Sequence, residues 1–439
     1  MPADNNGVSE SSLRPAGRRT FVKNVGLAGV ALSAGLAGCT GSSGGNTATK
    51  TATATTSSPQ SVVVGANFPL SGNLGYTGGL MADAVKLAAT IRNENGGIQS
   101  LDGAKVEVVT GDNQAKQELG PQVTNELIDK GIDVLTGCWL SSVTLAAAQV
   151  AEQKKIPFVT AGAASASILA DHNFNYVYRV QANTRDFGKD WAQLTPQLAK
   201  QQNVEAKTVG FFRPDNIFGE DIINAAKASA AKNGLEVIAE TVIQVDGTDA
   251  SSQATKLKGA NPDIVAPTGY TSHGTLLMNA FQDLNYRPKI ISAPACSTFG
   301  DTTVMKKQIG DYANGILDCN FAINPKDPLA SDLKKRFAQE FDGNPLVAGA
   351  AVAYTSTYVM LEAIEKAGST DPEKVNQSLK NIRVYKHPLA MPSPIEFEAN
   401  GENKNAFAPL RQVQNFAPSI VWPQQFAGSS PISFGTPSS

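Results

Sequence analysis

Short apolar runs alternate with stretches of helical periodicity along most of the chain. Val62 to Phe68 (VVVGANF) reads as a buried strand. After a Ser/Gly-rich turn, Leu80, Ala84, Leu87, Ala88 and Ile91 recur at helical spacing until Gly96 and Gly97 stop the helix. The pattern returns with Val106 to Val109 before Glu118 to Lys130, Val134 to Thr136 before Val143 to Lys154, and Phe158 to Thr160 before Ser165 to Ala170. Beyond a further strand at Tyr176 to Val180, it resumes with Val209 to Phe212 before Gly219 to Lys232 and Ile264 to Ala266 before Leu276 to Leu284. Ile290 to Ser292 leads into a weaker helix. Continuous apolar strands between helices predict parallel sheets covered on both faces. Seven such units exceed one sheet of ordinary size, and the polar stretch Arg179 to Asp190 (RVQANTRDFGKD) divides them four and three. Further on, a strand is predicted at Gly315 to Phe321, a helix at Leu329 to Phe341, and a long helix at Ala348 to Ala367 that returns to cover the first sheet. A hairpin is expected between Ile395 to Phe397 and Pro409 to Asn415. The fold class is therefore α/β, with two doubly wound parallel-sheet lobes joined by more than one crossing.

The N-terminus has a different character. Residues 17–39 read GRRTFVKNVGLAGVALSAGLAGC, in which the apolar run from Val25 to Leu36 is too short for a hydrocarbon core that needs roughly 20 residues. It has the form of a signal-peptide core. The order Arg18, Arg19, Phe21, Lys23 resembles a twin-arginine export signal, and Leu36-Ala37-Gly38-Cys39 resembles a lipobox, whose cysteine is lipidated. Residues 1–38 are accordingly expected to be removed, Cys39 to carry the lipid, and residues 39–60, rich in Ser, Thr and Gly, to serve as a flexible tether. One acyl chain holds weakly, so stable attachment requires diacylation.

Charge and composition exclude several functions. The 439 residues carry 37 basic and 39 acidic side chains, a net charge of −2, without the basic surplus that phosphate neutralisation demands, so no nucleic-acid partner is expected. The three histidines, His172, His273 and His387, and four cysteines with no CxxC pair give no zinc framework, and neither metal nor cofactor is expected. No GxxxxGK loop, GxSxG elbow or HExxH helix occurs, and the Gly72, Gly75, Gly78 spacing reads as a turn. His273 is expected on an exposed loop. In an oxidising compartment Cys296 and Cys319 are candidates to pair, leaving Cys138 free, although the sequence leaves connectivity open.

Ligands of open parallel sheets sit beyond the carboxyl ends of the strands, and here those turns are rich in Gly, Ala, Ser and Thr. Small residues let a backbone approach a ligand closely, and amides at helix starts favour an anionic or carbonyl oxygen. Ser141 and Ser142 stand where a helix begins, a position that also suits a simple N-cap. Ala163, Ala164 and Ser165 form a second such turn after the neighbouring strand. Trp139, Tyr76, Phe218 and Tyr270 add aromatic surface at the same edge, and together these residues predict a pocket.

Residues 61 to about 421 resemble the extracytoplasmic solute-binding proteins of ABC importers, of the branched-chain amino acid type. The phrases that carry the likeness are VGANFPLSGNLGYTGG, GCWLSS, IPFVTAGAASA, FGED at Phe218 to Asp221, DASSQATKLKGANPDIV at Asp249 to Val265, and AVAYTSTYVMLEAI. The resemblance implies two lobes with a three-segment hinge: residues 61–181 plus about 317–388, and residues 182–316 plus about 389–425, followed by a disordered tail at 426–439. It implies that Ser141 takes a solute carboxylate, that Ala163 to Ser165 complete the head-group site, and that Phe218 and Tyr270 close over the solute. The acidic residue that holds an amino group in this family falls near SAPAC, where this chain has Ala295 and Cys296. Either another residue substitutes or the solute has no α-amino group. The GCW phrase resembles the urea and short-amide branch. The implied function is a monomeric lipoprotein, not an enzyme, that delivers a branched-chain amino acid or related amino acid or amide to an importer permease. The alternatives are urea, a short amide or a carboxylate without an amino group as solute, or a ligand-sensing receptor domain or hydrolase.

Overall fold

Val62, Val64, Ala66 and Phe68 are all fully buried, as a strand covered by helices on both sides requires. The computed structural model describes residues 61–434, so the export-signal, Cys39 and tether readings lie outside the described residues. The first sheet contains β1 (Val62–Phe68), β2 (Val106–Asp112), β3 (Val134–Cys138), β4 (Phe158–Ala161) and β5 (Val177–Arg179). Its order is β2-β1-β3-β4-β5, and every pairing is parallel. The helices α1 (Gly75–Glu94), α2 (Leu119–Asp129), α3 (Ser141–Lys154) and α4 (Ser167–Ala170) connect consecutive strands.

Helix α5 (Thr184–Gln201) then leads into the second sheet. That sheet is built from β6 (Thr208–Pro214), α6 (Ile217–Ala230), β7 (Glu236–Ile243), α7 (Ser251–Ala260), β8 (Ile264–Pro267), α8 (Thr271–Asp283), β9 (Ile290–Pro294), the single turn α9 (Thr302–Val304) and β10 (Leu317–Cys319). Helices α10 (Pro328–Glu340), α11 (Ala348–Ala367) and α12 (Pro372–Lys380) follow, and β11 (Leu410–Gln414) and β12 (Ala417–Trp422) finish the second sheet in antiparallel pairing. Its strand order is β12-β11-β10-β9-β8-β6-β7. As predicted, α11 returns to the first sheet. It packs on α1, β3 and β4, and Ser356 Oγ donates to the Thr160 carbonyl at 3.0 Å.

Several expectations are corrected. The polar stretch 179–190 is mostly the start of α5, where Asn183 and Asp186 form a capping box and the apolar face, with Phe187 and Trp191, is buried. Strand β7 and helix α7 add a unit that the apolar pattern hides, because β7 is an edge strand with alternating exposure. Strand β10 pairs with β9, so the return toward the first sheet comes after Cys319 rather than at 317. The boundary near 389 shifts too, since Arg179 N–H donates to the Gly401 carbonyl at 2.9 Å and Asn403 Nδ2 to the Val180 carbonyl at 2.8 Å. The hairpin joins β11 to β12, while Ile395 bridges to Val384 and Phe397 to Asn403. The segment expected to be disordered from 426 is held as far as it is described, with Ile432 N–H donating to Gln412 Oε1 at 2.7 Å. Cys296 and Cys319 do not pair: both are free and buried, the first donating to Thr298 Oγ1 at 3.5 Å and the second to the Ala408 carbonyl at 3.3 Å.

Candidate functional site

Strands β3 and β4 are parallel neighbours, so the turns that leave them lie side by side. From β3 the chain passes through Trp139, at φ +69°, and enters α3 at Ser141. From β4 it passes through Gly162, at φ +85°, into Ala163 to Ser165. The two turns are joined where the Ser165 amide donates to Ser141 Oγ at 3.1 Å. Arg179, fully buried, braces the second turn, donating from Nη1 to the Ala164 carbonyl at 2.8 Å and from Nη2 to the Ser165 carbonyl at 2.7 Å. Gln181 Nε2 takes the Ala163 carbonyl at 3.1 Å. A rigid guanidinium fork suits two adjacent carbonyls better than an ammonium does. Its charge is faced by Glu402, at 3.7 Å, a carboxyl that burial pushes above its usual range while Arg179 opposes that rise.

Opposite these turns stand the helix starts of the second sheet. Asn216 caps α6 by accepting from the Gly219 amide at 2.9 Å, and its Nδ2 donates to the Tyr270 hydroxyl at 3.2 Å. Phe218 and Tyr270 lie with ring centroids 5.5 Å apart, and Tyr270 meets Trp139 across the sheets. Burial pushes the Tyr270 hydroxyl well above its ordinary pKa, against the opposing effect of Asn216 and the Ser141 amide, so it stays protonated at neutral pH. Asp221 on α6 ties the two sides together: it accepts from Ser165 Oγ, from Ser167 N–H at 3.2 Å, and from Ser167 Oγ at 2.8 Å. His273 is not on an exposed loop. It is fully buried in the first turn of α8, where Nδ1 accepts from the Tyr270 amide at 3.2 Å and Nε2 donates to the Val245 carbonyl at 3.0 Å. Burial pushes its pKa down, so the ring is a neutral prop for Tyr270.

These elements line a small, partly open chamber with a cavity volume of about 20 Å³. Five of the nine predicted residues line it: Ser141, Ala164, Trp139, Phe218 and Tyr270. The other four do not. Ala163 and Ser165 shape the turn from behind, and Ser142 is the second residue of α3. Tyr76 is 46% exposed, with its hydroxyl beside Asp301 and Thr303. Sequence reasoning missed Gly162, Phe187, Ser297, Asn320 and Phe321 as walls. Ala295, singled out only as a departure, also lines the chamber, at φ +58°. Asn320 and Phe321 follow directly on β10, a strand that joins the second sheet by pairing with β9 and β11. A second chamber, with a cavity volume of about 40 Å³, adjoins the first, sharing Trp139, Ser297, Asn320 and Phe321 and adding Thr77, Asp301 and Arg411.

Two α/β units with opposed turns around an enclosed space define a class of proteins that hold a small molecule between sheets. The sequence matches the model of the periplasmic binding protein family over residues 61–415, and the chain belongs to that family. Its members are solute-binding proteins, and the family implies a location outside the cytoplasm. Among the described residues no helix is long and apolar enough to cross a membrane. The chain is 22% identical over 377 residues to Leu/Ile/Val-binding protein homolog 7 of Brucella suis biovar 1 (strain 1330), covering 83% of this chain and 92% of that protein. A leucine-binding protein from Thermotoga maritima MSB8 superposes with a TM-score of 0.70 at 21% identity, over 82% of this chain and 97% of the other. A solute-binding protein of an ABC transporter from R. palustris, solved with benzoate, superposes with a TM-score of 0.71 at 16% identity, over 86% of this chain and 99% of the other. At these identities the superpositions establish a shared fold.

Proposed function

We propose that the chain is the extracytoplasmic solute-binding component of an ABC importer, and that it captures a branched-chain amino acid or a related small carboxylate and presents it to the permease. The observation that carries this reading is the chamber itself, walled on one side by the Ser141 and Ala164 turns and on the other by Phe218 and Tyr270. The names of the curated relatives support the solute class. The start of α3 offers a carboxylate the Ser141 hydroxyl proton, whose oxygen accepts from the Ser165 amide, and the positive end of a 14-residue helix. Arg179, bonded to two carbonyls of the neighbouring turn, adds positive charge behind it. Trp139 and Tyr270 then close over the body of the solute. Affinity arises from the difference between open and closed forms, and the closed form is what a permease distinguishes. No bond is broken. Export by the twin-arginine route and attachment through Cys39 belong to the same proposal, as does action as a monomer.

A thermal-shift and calorimetry screen across branched-chain amino acids, amides, urea and small carboxylates tests the reading, because a ligand bound only by the folded state raises the melting temperature. Ser141→Ala should weaken binding of the responding solute by about 1 to 3 kcal/mol if a charged oxygen is held there. Unchanged affinity would remove Ser141 from the site. Mass spectrometry of the mature protein from membranes tests the anchor: a diacylated N-terminal Cys39 is expected, and an unmodified chain retaining residues 1–38 contradicts it.

A further inference from the structure

The chamber that holds Ser141 contains no acidic side chain. Its polar wall consists of Ser141, Ser297, Asn320 and backbone, and the rest is apolar, with Trp139, Phe187, Phe218, Tyr270 and Phe321 supplying five aromatic rings. In an α-amino acid the ammonium sits one carbon from the carboxylate. If Ser141 holds the carboxylate, the partner of the ammonium must therefore line the same chamber. The surrounding carboxylates lie outside its wall. Asp221 takes the hydroxyls of Ser165 and Ser167. Asp318 accepts from the Cys296 amide at 3.0 Å and pairs with Arg411. Asp301 lines the adjoining chamber and not this one, and its Oδ1 caps α9 by accepting from the Thr303 and Val304 amides at 2.8 and 3.1 Å. An ammonium enclosed without an anionic partner is strongly disfavoured, whereas a flat apolar body matches aromatic walls.

We propose that the solute is a small carboxylate with an uncharged, apolar or aromatic body and no α-ammonium group. The carboxylate lies at the Ser141 turn, and the body lies among Trp139, Phe218 and Tyr270. This narrows the solute class of the capture function and rests on that function. Ala295 gives a direct handle on the claim. It lines the chamber in a left-handed conformation, and aspartate tolerates that region better than most residues. Ala295→Asp would supply the missing anion.

The test is calorimetry with benzoate, leucine, isoleucine and glycine betaine on the wild-type protein and on Ala295→Asp. The wild type should bind benzoate at least about tenfold more tightly than either amino acid, and the variant should shift that ratio toward the amino acids by a further tenfold or more. Leucine or isoleucine binding the wild type as tightly as benzoate overturns the proposal and leaves solute capture standing. Betaine binding most tightly also overturns it, because the ring faces would then be accepting a cation. If none of the four binds, a hit in the wider screen with another carboxylate of uncharged body supports the class, a hit with any other solute overturns it and leaves capture standing, and no hit at all makes capture fail with it. Should Ala295→Asp not fold, the wild-type ranking decides alone.

Discussion

The ring of Trp139, at the carboxyl edge of the first sheet, meets that of Tyr270, at the edge of the second, with centroids 6.0 Å apart and planes at 81°. This edge-to-face contact spans the space between the sheets and forms part of the chamber wall. Pairs of this geometry add about 0.5 to 1.5 kcal/mol beyond the area they bury, which is enough to bias a closed form without locking it.

On the proposed reading, Tyr270 acts through its ring more than through its hydroxyl. Tyr270→Phe keeps the ring and removes the bond from Asn216, so solute affinity measured by calorimetry should fall by about 1 kcal/mol or less. Tyr270→Ala should cost about 2 kcal/mol or more, as truncation of a buried aromatic anchor does. Equal losses from the two variants would place the hydroxyl, rather than the ring, on the solute.

Arg179 is fully buried and spans the Ala164 and Ser165 carbonyls. Arg179→Met leaves those carbonyls and Glu402 without their partner, and stability by denaturant unfolding should fall by about 3 to 5 kcal/mol. The double variant with Glu402→Gln should recover part of the loss, because it also removes the stranded carboxylate. Absence of any recovery would mean that the carbonyl contacts, and not the charge pair, carry the effect.

Gly162 is constrained twice. Its φ is +85°, and an added Cβ would lie 2.9 Å from Trp139 Cδ1. Gly162→Ala should lower the melting temperature and also weaken solute binding, since Trp139 has to move from its place in the wall. Unaltered affinity would show that the ring's position is not what the solute senses.

Asp190 gives a signed pH dependence. It is 4% exposed, and burial pushes its carboxyl up to about 6, with Lys189 and the Ala408 amide opposing. A carboxyl whose folded pKa exceeds its unfolded value favours the folded state fully only below the unfolded value near 3.8, and that benefit disappears as pH rises through about 6. Asp190→Asn should therefore stabilise the protein relative to wild type at pH 8 by roughly 1 to 3 kcal/mol and have little effect near pH 4. Thermal unfolding at both values checks this; a gain of equal size at pH 4 would contradict it.

The alternating pattern revealed the buried parallel strands and the helix Ala348–Ala367, whose burial on nearly every side leaves a continuous apolar signature. Edge strand β7 escaped because its outer face is wet, and α5 escaped because a capping box and a charged outer face read as a polar linker. The same division holds in the site. Ser141, Ala164, Trp139, Phe218 and Tyr270 sit on turns next to strong strands, where position follows from topology. Asn320 and Phe321 follow a three-residue strand whose sheet is decided by pairing with β9 and β11, a choice that local pattern does not encode. The brace from Arg179 was likewise illegible, because a lone arginine in a strand carries no sign of whether it faces solvent or carbonyl oxygens.

A crystal structure with the tightest-binding carboxylate bound tests the central claim most directly. The carboxylate should lie within hydrogen-bonding distance, about 3 Å, of the Ser141 turn, with its body against the rings of Trp139, Phe218 and Tyr270. Density for the solute anywhere other than between the two sheets would contradict the account.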